Sequence, residues 1–117
     1  MRRIVILGAG YAGLEVARGL GRVLGQTGSA QIILVNDGED HVFTTELHKV
    51  AAGTAEPHEV TAPLRDVLAQ GGVELMIGRV ASIHPERRTV ALEGGSELAY
   101  DRSVVALGST AEYWGIP

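Results

Sequence analysis

Ile4-Val5-Ile6-Leu7-Gly8-Ala9-Gly10-Tyr11-Ala12-Gly13-Leu14-Glu15 runs from an apolar, β-branched segment through three spaced glycines into a helical pattern. The spacing is that of a dinucleotide-phosphate cradle. Gly8 permits the sharp turn out of a strand, Gly10 lets the backbone approach a pyrophosphate with no Cβ in the way, and Gly13 allows the new helix to pack closely on the sheet. The helix N-terminus then turns unpaired N–H groups and partial positive charge toward the phosphates. Ala9, Tyr11 and Ala12 lie between these glycines and are counted with them as cofactor-binding candidates, although Tyr11 equally suits a packing residue at a helix start. Glycines at this spacing also serve ordinary turns. The buried strand before them and the helix after them decide for the nucleotide.

Working outward, Leu14, Ala17, Leu20 and Leu24 return at helical spacing and predict a helix over residues 11–24, ended by Gly25 and Gly28. Gly19 and Gly21 lower its intrinsic propensity by about 1 kcal/mol each, so close packing on a sheet must hold it. Gln31-Ile32-Ile33-Leu34-Val35 is a second fully buried strand, making the opening unit βαβ with a parallel pair. A polar turn, Asn36 to Asp40, precedes residues 41–53, read as a loop leading into a short helix. Thr61 to Leu68 predicts another helix, with Thr61 as N-cap, Pro63 in the first turn and Gly71-Gly72 as its stop. Val73 to Ile77 is the third parallel strand. The pattern then changes to short strands and tight turns: Val80–Ile83, Arg88–Leu92 and Glu97–Ala99 form an antiparallel meander, with Glu93-Gly94-Gly95-Ser96 as a hairpin signal. The apolar run from Ser103 to Leu107 returns to the parallel sheet. The expected fold class is α/β, a three-layer, Rossmann-like parallel sheet with an inserted three-stranded antiparallel meander.

Composition narrows the function. The 117 residues carry 45% apolar side chains, enough for one core, and 16 glycines against five aromatics, which suits a nucleotide-binding scaffold. A net charge of −4, with one lysine and nine scattered arginines, leaves no basic face for nucleic acid. The absence of cysteine removes disulfides and thiolate chemistry from these residues. His41, His48, His58 and His84 are not spaced to place two imidazoles and a carboxylate on one helix face, so they read as solvated side chains and no metal site is expected. The apolar opening is too short for a membrane span.

In three segments the chain resembles the N-terminal, FAD-binding portion of the two-dinucleotide-fold flavoproteins related to the pyridine nucleotide-disulfide oxidoreductases, and among them the type II NADH dehydrogenases. These segments are Gly8 to Leu14, residues 41–53 with Thr61-Ala62-Pro63-Leu64-Arg65, and Tyr100-Asp101 through Ala106-Leu107-Gly108-Ser109. The resemblance covers nearly all of this chain but only the opening part of such an enzyme, so it implies a partial FAD-binding domain over residues 1–117. It implies FAD as cofactor, with NADH and a quinone as substrates of the full-length enzyme, and a cytoplasmic protein peripheral to the membrane face. No catalytic side chain is expected here, because the flavin carries the chemistry. This stretch alone is expected to be inactive.

In that family an acidic residue at the end of the second strand holds the adenosine ribose; here the position falls on Asn36, with Asp37 next, and either can serve. An amide accepts one hydrogen bond but brings no charge. Both are also natural turn residues. Val80 resembles the position whose backbone reads the adenine edge, Ala106, Leu107 and Gly108 the turn beneath the pyrophosphate, and Thr44 and Thr45 the approach to the flavin ring. Two other functions remain open: a sulfide:quinone oxidoreductase-like flavoprotein, and a nucleotide-binding module with no redox role, which a colourless, NAD-binding sample would favour. The strand Ser103–Leu107 is expected to present an apolar edge that promotes self-association or is covered by the C-terminal tail.

Overall fold

A computed structural model of the chain describes residues 2–42, 51–56 and 61–108. Strand β1 (Arg2–Leu7) leads into helix α1 (Tyr11–Leu20), which continues as a π-helical turn over Gly21–Gly25. Then come β2 (Ala30–Asn36), β3 (Asp40–Val42), β4 (Thr61–Pro63) and the short helix α2 (Leu64–Val67). Strands β5 (Glu74–Ile77), β6 (Val80–His84), β7 (Thr89–Leu92), β8 (Glu97–Ala99) and β9 (Arg102–Val105) follow.

Four strands form one parallel sheet in the order β5-β2-β1-β9, with Leu7 in register with both Val35 and Val105. Strands β6, β7 and β8 form the antiparallel meander, and β3 pairs with β4. The period-two alternation of β1 and β2 sorts their side chains onto two separate cores. Ile6, Ile32 and Leu34 pack toward Leu14 and Ala17 of α1 and Leu64 of α2. Val5, Leu7, Ile33 and Val35 pack toward Val90, Leu92 and Leu98 of the meander. The sheet is therefore covered on both faces, by helices on one side and by the meander on the other, which is why Ile4–Leu7 of β1 and Ile32–Val35 of β2 are unbroken apolar runs.

Two helices depart from expectation. The first is α-helical only to Leu20 and then widens, with Gln26 N–H donating to the Gly21 carbonyl. Gly21 and Gly25 there face Gly72 so closely that a Cβ on Gly25 or Gly72 would overlap the other segment's backbone. The second helix begins at Leu64, not at Thr61. Thr61, expected as its N-cap, lies instead in β4, in register with Val42. Pro63 explains the correction: it drives the preceding residue, Ala62, toward extended backbone, so the segment pairs with β3 before the helix can begin. No helix among the described residues is long and apolar enough to cross a membrane.

Candidate functional site

The carboxyl ends of the four parallel strands share one edge, and the ladder continues past β1, β5 and β9. Gly8 N–H donates to the Val35 carbonyl, Gly78 N–H to the Asn36 carbonyl and Ala106 N–H to the Leu7 carbonyl, each at 2.8 Å. Ligands of open α/β sheets bind outside this edge. A crevice of about 240 Å³ opens there, lined by Gly8, Val35, Asn36, Asp37, Gly78, Arg79, Val80 and Leu107. A second hollow of about 380 Å³ lies beside it, bounded by Ala9, Gly10, Asp40, Thr61 and the Asn36–Glu39 turn. The second alone falls within the range of about 300–1,000 Å³ typical of small-molecule sites, and the first is smaller.

The three glycines of the turn have different surroundings. A Cβ on Gly8, whose φ is +99°, would overlap the Ala106 carbonyl oxygen, and one on Gly13 would overlap the Gly8 carbonyl oxygen. Gly10 has an ordinary φ of −72° and, among the described residues, nothing within 4 Å of where its Cβ would stand. Gly8 and Gly13 are required by the fold itself, whereas space is left open above Gly10. Gly10 is also the N-cap of α1, which has no side-chain capping bond and no acidic residue in its first turn. No acidic side chain of its own first turn offsets the positive end of the helix dipole that its leading N–H groups carry.

The sequence-predicted site residues fall into three groups. Gly8, Asn36, Asp37, Val80 and Leu107 share the first crevice. Ala9 and Gly10 border the second hollow, and Asn36 and Asp37 separate the two. Ala12 is exposed in the first turn of α1, and Ala106 and Gly108 follow β9, Gly108 with a φ of +73°. Tyr11, half-exposed, turns to another side of the turn, bordering a separate apolar hollow with Leu14 and His41. Thr44 and Thr45 lie outside the described residues.

Asn36 is engaged inside the protein. Its Oδ1 accepts the Ala9 N–H at 3.1 Å and its Nδ2 donates to the Gly38 carbonyl at 2.8 Å. Asp37, next to it, is exposed at the crevice wall. Arg79 supplies the positive charge of that wall and makes a loose, solvent-exposed ion pair with Glu93 at 3.7 Å.

Sequence reasoning missed His41, which was expected to be solvated. It is 2% exposed, its Nδ1 lies 2.8 Å from the Ala9 carbonyl oxygen, and its ring meets Tyr11 edge to face with centroids 5.1 Å apart. An isolated histidine in a polar turn has no periodic signature, so only the pairing of β3 with β4 reveals its burial. Gly78 and Arg79 were also missed, although their place directly after a parallel strand is itself a usable signal. His48 and His58 lie outside the described residues.

Comparison with known proteins fits this geometry. The family model for pyridine nucleotide-disulphide oxidoreductase matches residues 2–117. The type II NADH:quinone oxidoreductase of Staphylococcus aureus (strain NCTC 8325 / PS 47) is 35% identical over 115 residues, covering 98% of this chain and 28% of that protein. The chain thus spans little more than a quarter of the length of the curated relatives it matches. The structure of the sulfide:quinone oxidoreductase from Aquifex aeolicus superposes with a TM-score of 0.87 at 25% identity, covering 97% of this chain and 26% of that one. The NDH2 of Plasmodium falciparum in complex with NADH shares the fold at a TM-score of 0.81 and 19% identity, over 98% of this chain and 24% of its own.

Proposed function

The chain belongs to the pyridine nucleotide-disulphide oxidoreductase family, and on that footing we propose that it is the FAD-binding part of an NADH:quinone oxidoreductase of the type II kind. The observation that carries the FAD reading is the open surface at Gly10, beside an uncapped helix N-terminus and the crevice at the sheet's carboxyl edge. A pyrophosphate fits that surface: it needs bare backbone for close approach and N–H donors for its charge. Gly8, Ala9, Gly10, Ala12 and Gly13 form the cradle, with Tyr11 at the helix start.

Within the crevice the ribose falls to Asp37, because both functions of the Asn36 amide already have partners. The exposed Asp37 carboxylate can accept from two hydroxyls and repels a 2′-phosphate. Val80 and its neighbours border the adenine end, and Ala106, Leu107 and Gly108 pass beneath the pyrophosphate. Thr44 and Thr45 are assigned to the flavin end on the family resemblance. When bound, FAD supplies hydride acceptance from NADH and electron transfer to the quinone. The residues here bind and orient it. A lipid-soluble quinone is met at a membrane surface, which supports a peripheral place on the cytoplasmic face for the full-length enzyme. Self-association between copies through the β9 edge is part of the same proposal.

A second reading, sulfide:quinone oxidation, is favoured by the superposition on the Aquifex aeolicus enzyme. One experiment separates the two. The full-length protein is loaded with FAD under anaerobic conditions and mixed with NADH or with sulfide, followed by a soluble quinone. Bleaching of the flavin by NADH and its return with quinone is the expected result. Bleaching by sulfide alone supports the second reading, and a colourless protein that binds NAD contradicts both.

A further inference from the structure

We infer that His41 is a positioning residue that locks the peptide plane between Ala9 and Gly10, aiming the Gly10 N–H at the phosphate side of the cradle. Ala9 is buried, and side chains from the end of β2 and from β3 hold both of its backbone groups. Asn36 Oδ1 accepts its N–H, and His41 Nδ1 stands 2.8 Å from its carbonyl oxygen. A carbonyl can only accept, so the proton of this bond belongs to Nδ1, which fixes the imidazole tautomer. The peptide is planar and trans, so the Ala9 C=O and the Gly10 N–H point in opposite directions. By drawing the carbonyl inward, His41 turns the N–H outward, to the side on which Gly10 is exposed.

Glycine makes such a lock necessary. The missing Cβ that opens the surface at Gly10 also removes the steric bar to rotating its preceding peptide. Without a donor from His41 the buried Ala9 carbonyl has reason to rotate toward water, carrying the Gly10 N–H away from the cradle. The edge-to-face contact with Tyr11 ties the same imidazole to the first residue of α1, so one side chain fixes both the loop and the start of the helix.

The ligand half of this inference rests on the FAD reading; the lock itself does not. His41→Leu keeps bulk and removes the donor, whereas His41→Asn places an N–H at the position of Nδ1. In the purified ¹⁵N-labelled protein, at a pH where the ring is neutral, long-range ¹H–¹⁵N spectra should show Nδ1 protonated. A proton resident on Nε2 alone would overturn the lock. His41→Leu should shift the Ala9 and Gly10 amide resonances and weaken FAD binding by about tenfold, as the competent peptide orientation becomes a minor one. His41→Asn should return the resonances and bring the affinity within about threefold of the starting value. If the unmodified protein takes up no FAD, the flavin reading fails and the amide resonances still decide the lock: shifted by Leu and restored by Asn upholds it, and unchanged in both overturns it.

Discussion

Gly8 and Gly13 hold their places because backbone occupies the space a side chain would need. Gly13→Ala forces α1 away from the strand-to-helix turn, and overpacking of this kind costs about 1–3 kcal/mol. A lowered thermal midpoint, measured by circular dichroism without ligand, is the expected outcome. Thr89 presents the opposite case. Its buried hydroxyl has no hydrogen-bond partner among the described residues, so the fold bears a desolvation cost there without return. Thr89→Val keeps the branched shape and removes the orphan, and should raise stability by about 1 kcal/mol in a urea titration. A fall of that size would mean that the hydroxyl is satisfied in solution.

The π-helical turn after α1 is best understood through its partner, the Gly71-Gly72 segment that leads into β5. Backbone meets backbone across this seam: Gly72 has a φ of +84°, and its Cβ would overlap the Gly21 carbonyl oxygen. Gly72→Ala combines left-handed backbone strain with overlap and should destabilise the protein by about 2 kcal/mol or more, read as a lower denaturant midpoint with unchanged slope. Much of this architecture was legible in the sequence. Residues 4–7 and 31–35 read correctly as parallel strands because of their apolar runs, buried over Val5–Leu7 and Ile32–Val35, whereas Ile4 and Gln31 are only partly buried; the hairpin Glu93-Gly94-Gly95-Ser96 stood out by its turn chemistry. The start of α2 was not legible, since Thr61 and Pro63 suit a helix entrance as well as a strand, and only the pairing with β3 chooses between them. Of the site, the glycine turn could be read residue by residue from its spacing. The burial of His41 and the internal engagement of Asn36 could not, because each depends on Ala9, some thirty positions away in the chain.

The layers together explain why the site lies where it does. Helices cover one face of the parallel sheet and the meander the other, so the carboxyl edge is left as the open margin where the turns after β1, β2, β5 and β9 converge. Strand β9 is one of the two outer strands of that sheet among the described residues, β5 being the other, and its last residue, Val105, is 59% exposed. An apolar edge of this kind is a template for pairing with a second copy. Light scattering of the purified chain should therefore report association that Val105→Lys reduces; a monomer for both proteins would contradict it. The most direct test of the central claim, that a dinucleotide lies on the bare backbone at Gly10, is an FAD titration of the protein and its Gly10→Ala variant, with the thermal midpoint of each recorded in parallel. The account predicts that alanine leaves the midpoint essentially unchanged, because its Cβ meets no atom of the described residues, while weakening FAD binding by at least about tenfold, or about 1.4 kcal/mol. Equal FAD affinity in the two proteins, or no FAD binding by either, would contradict it.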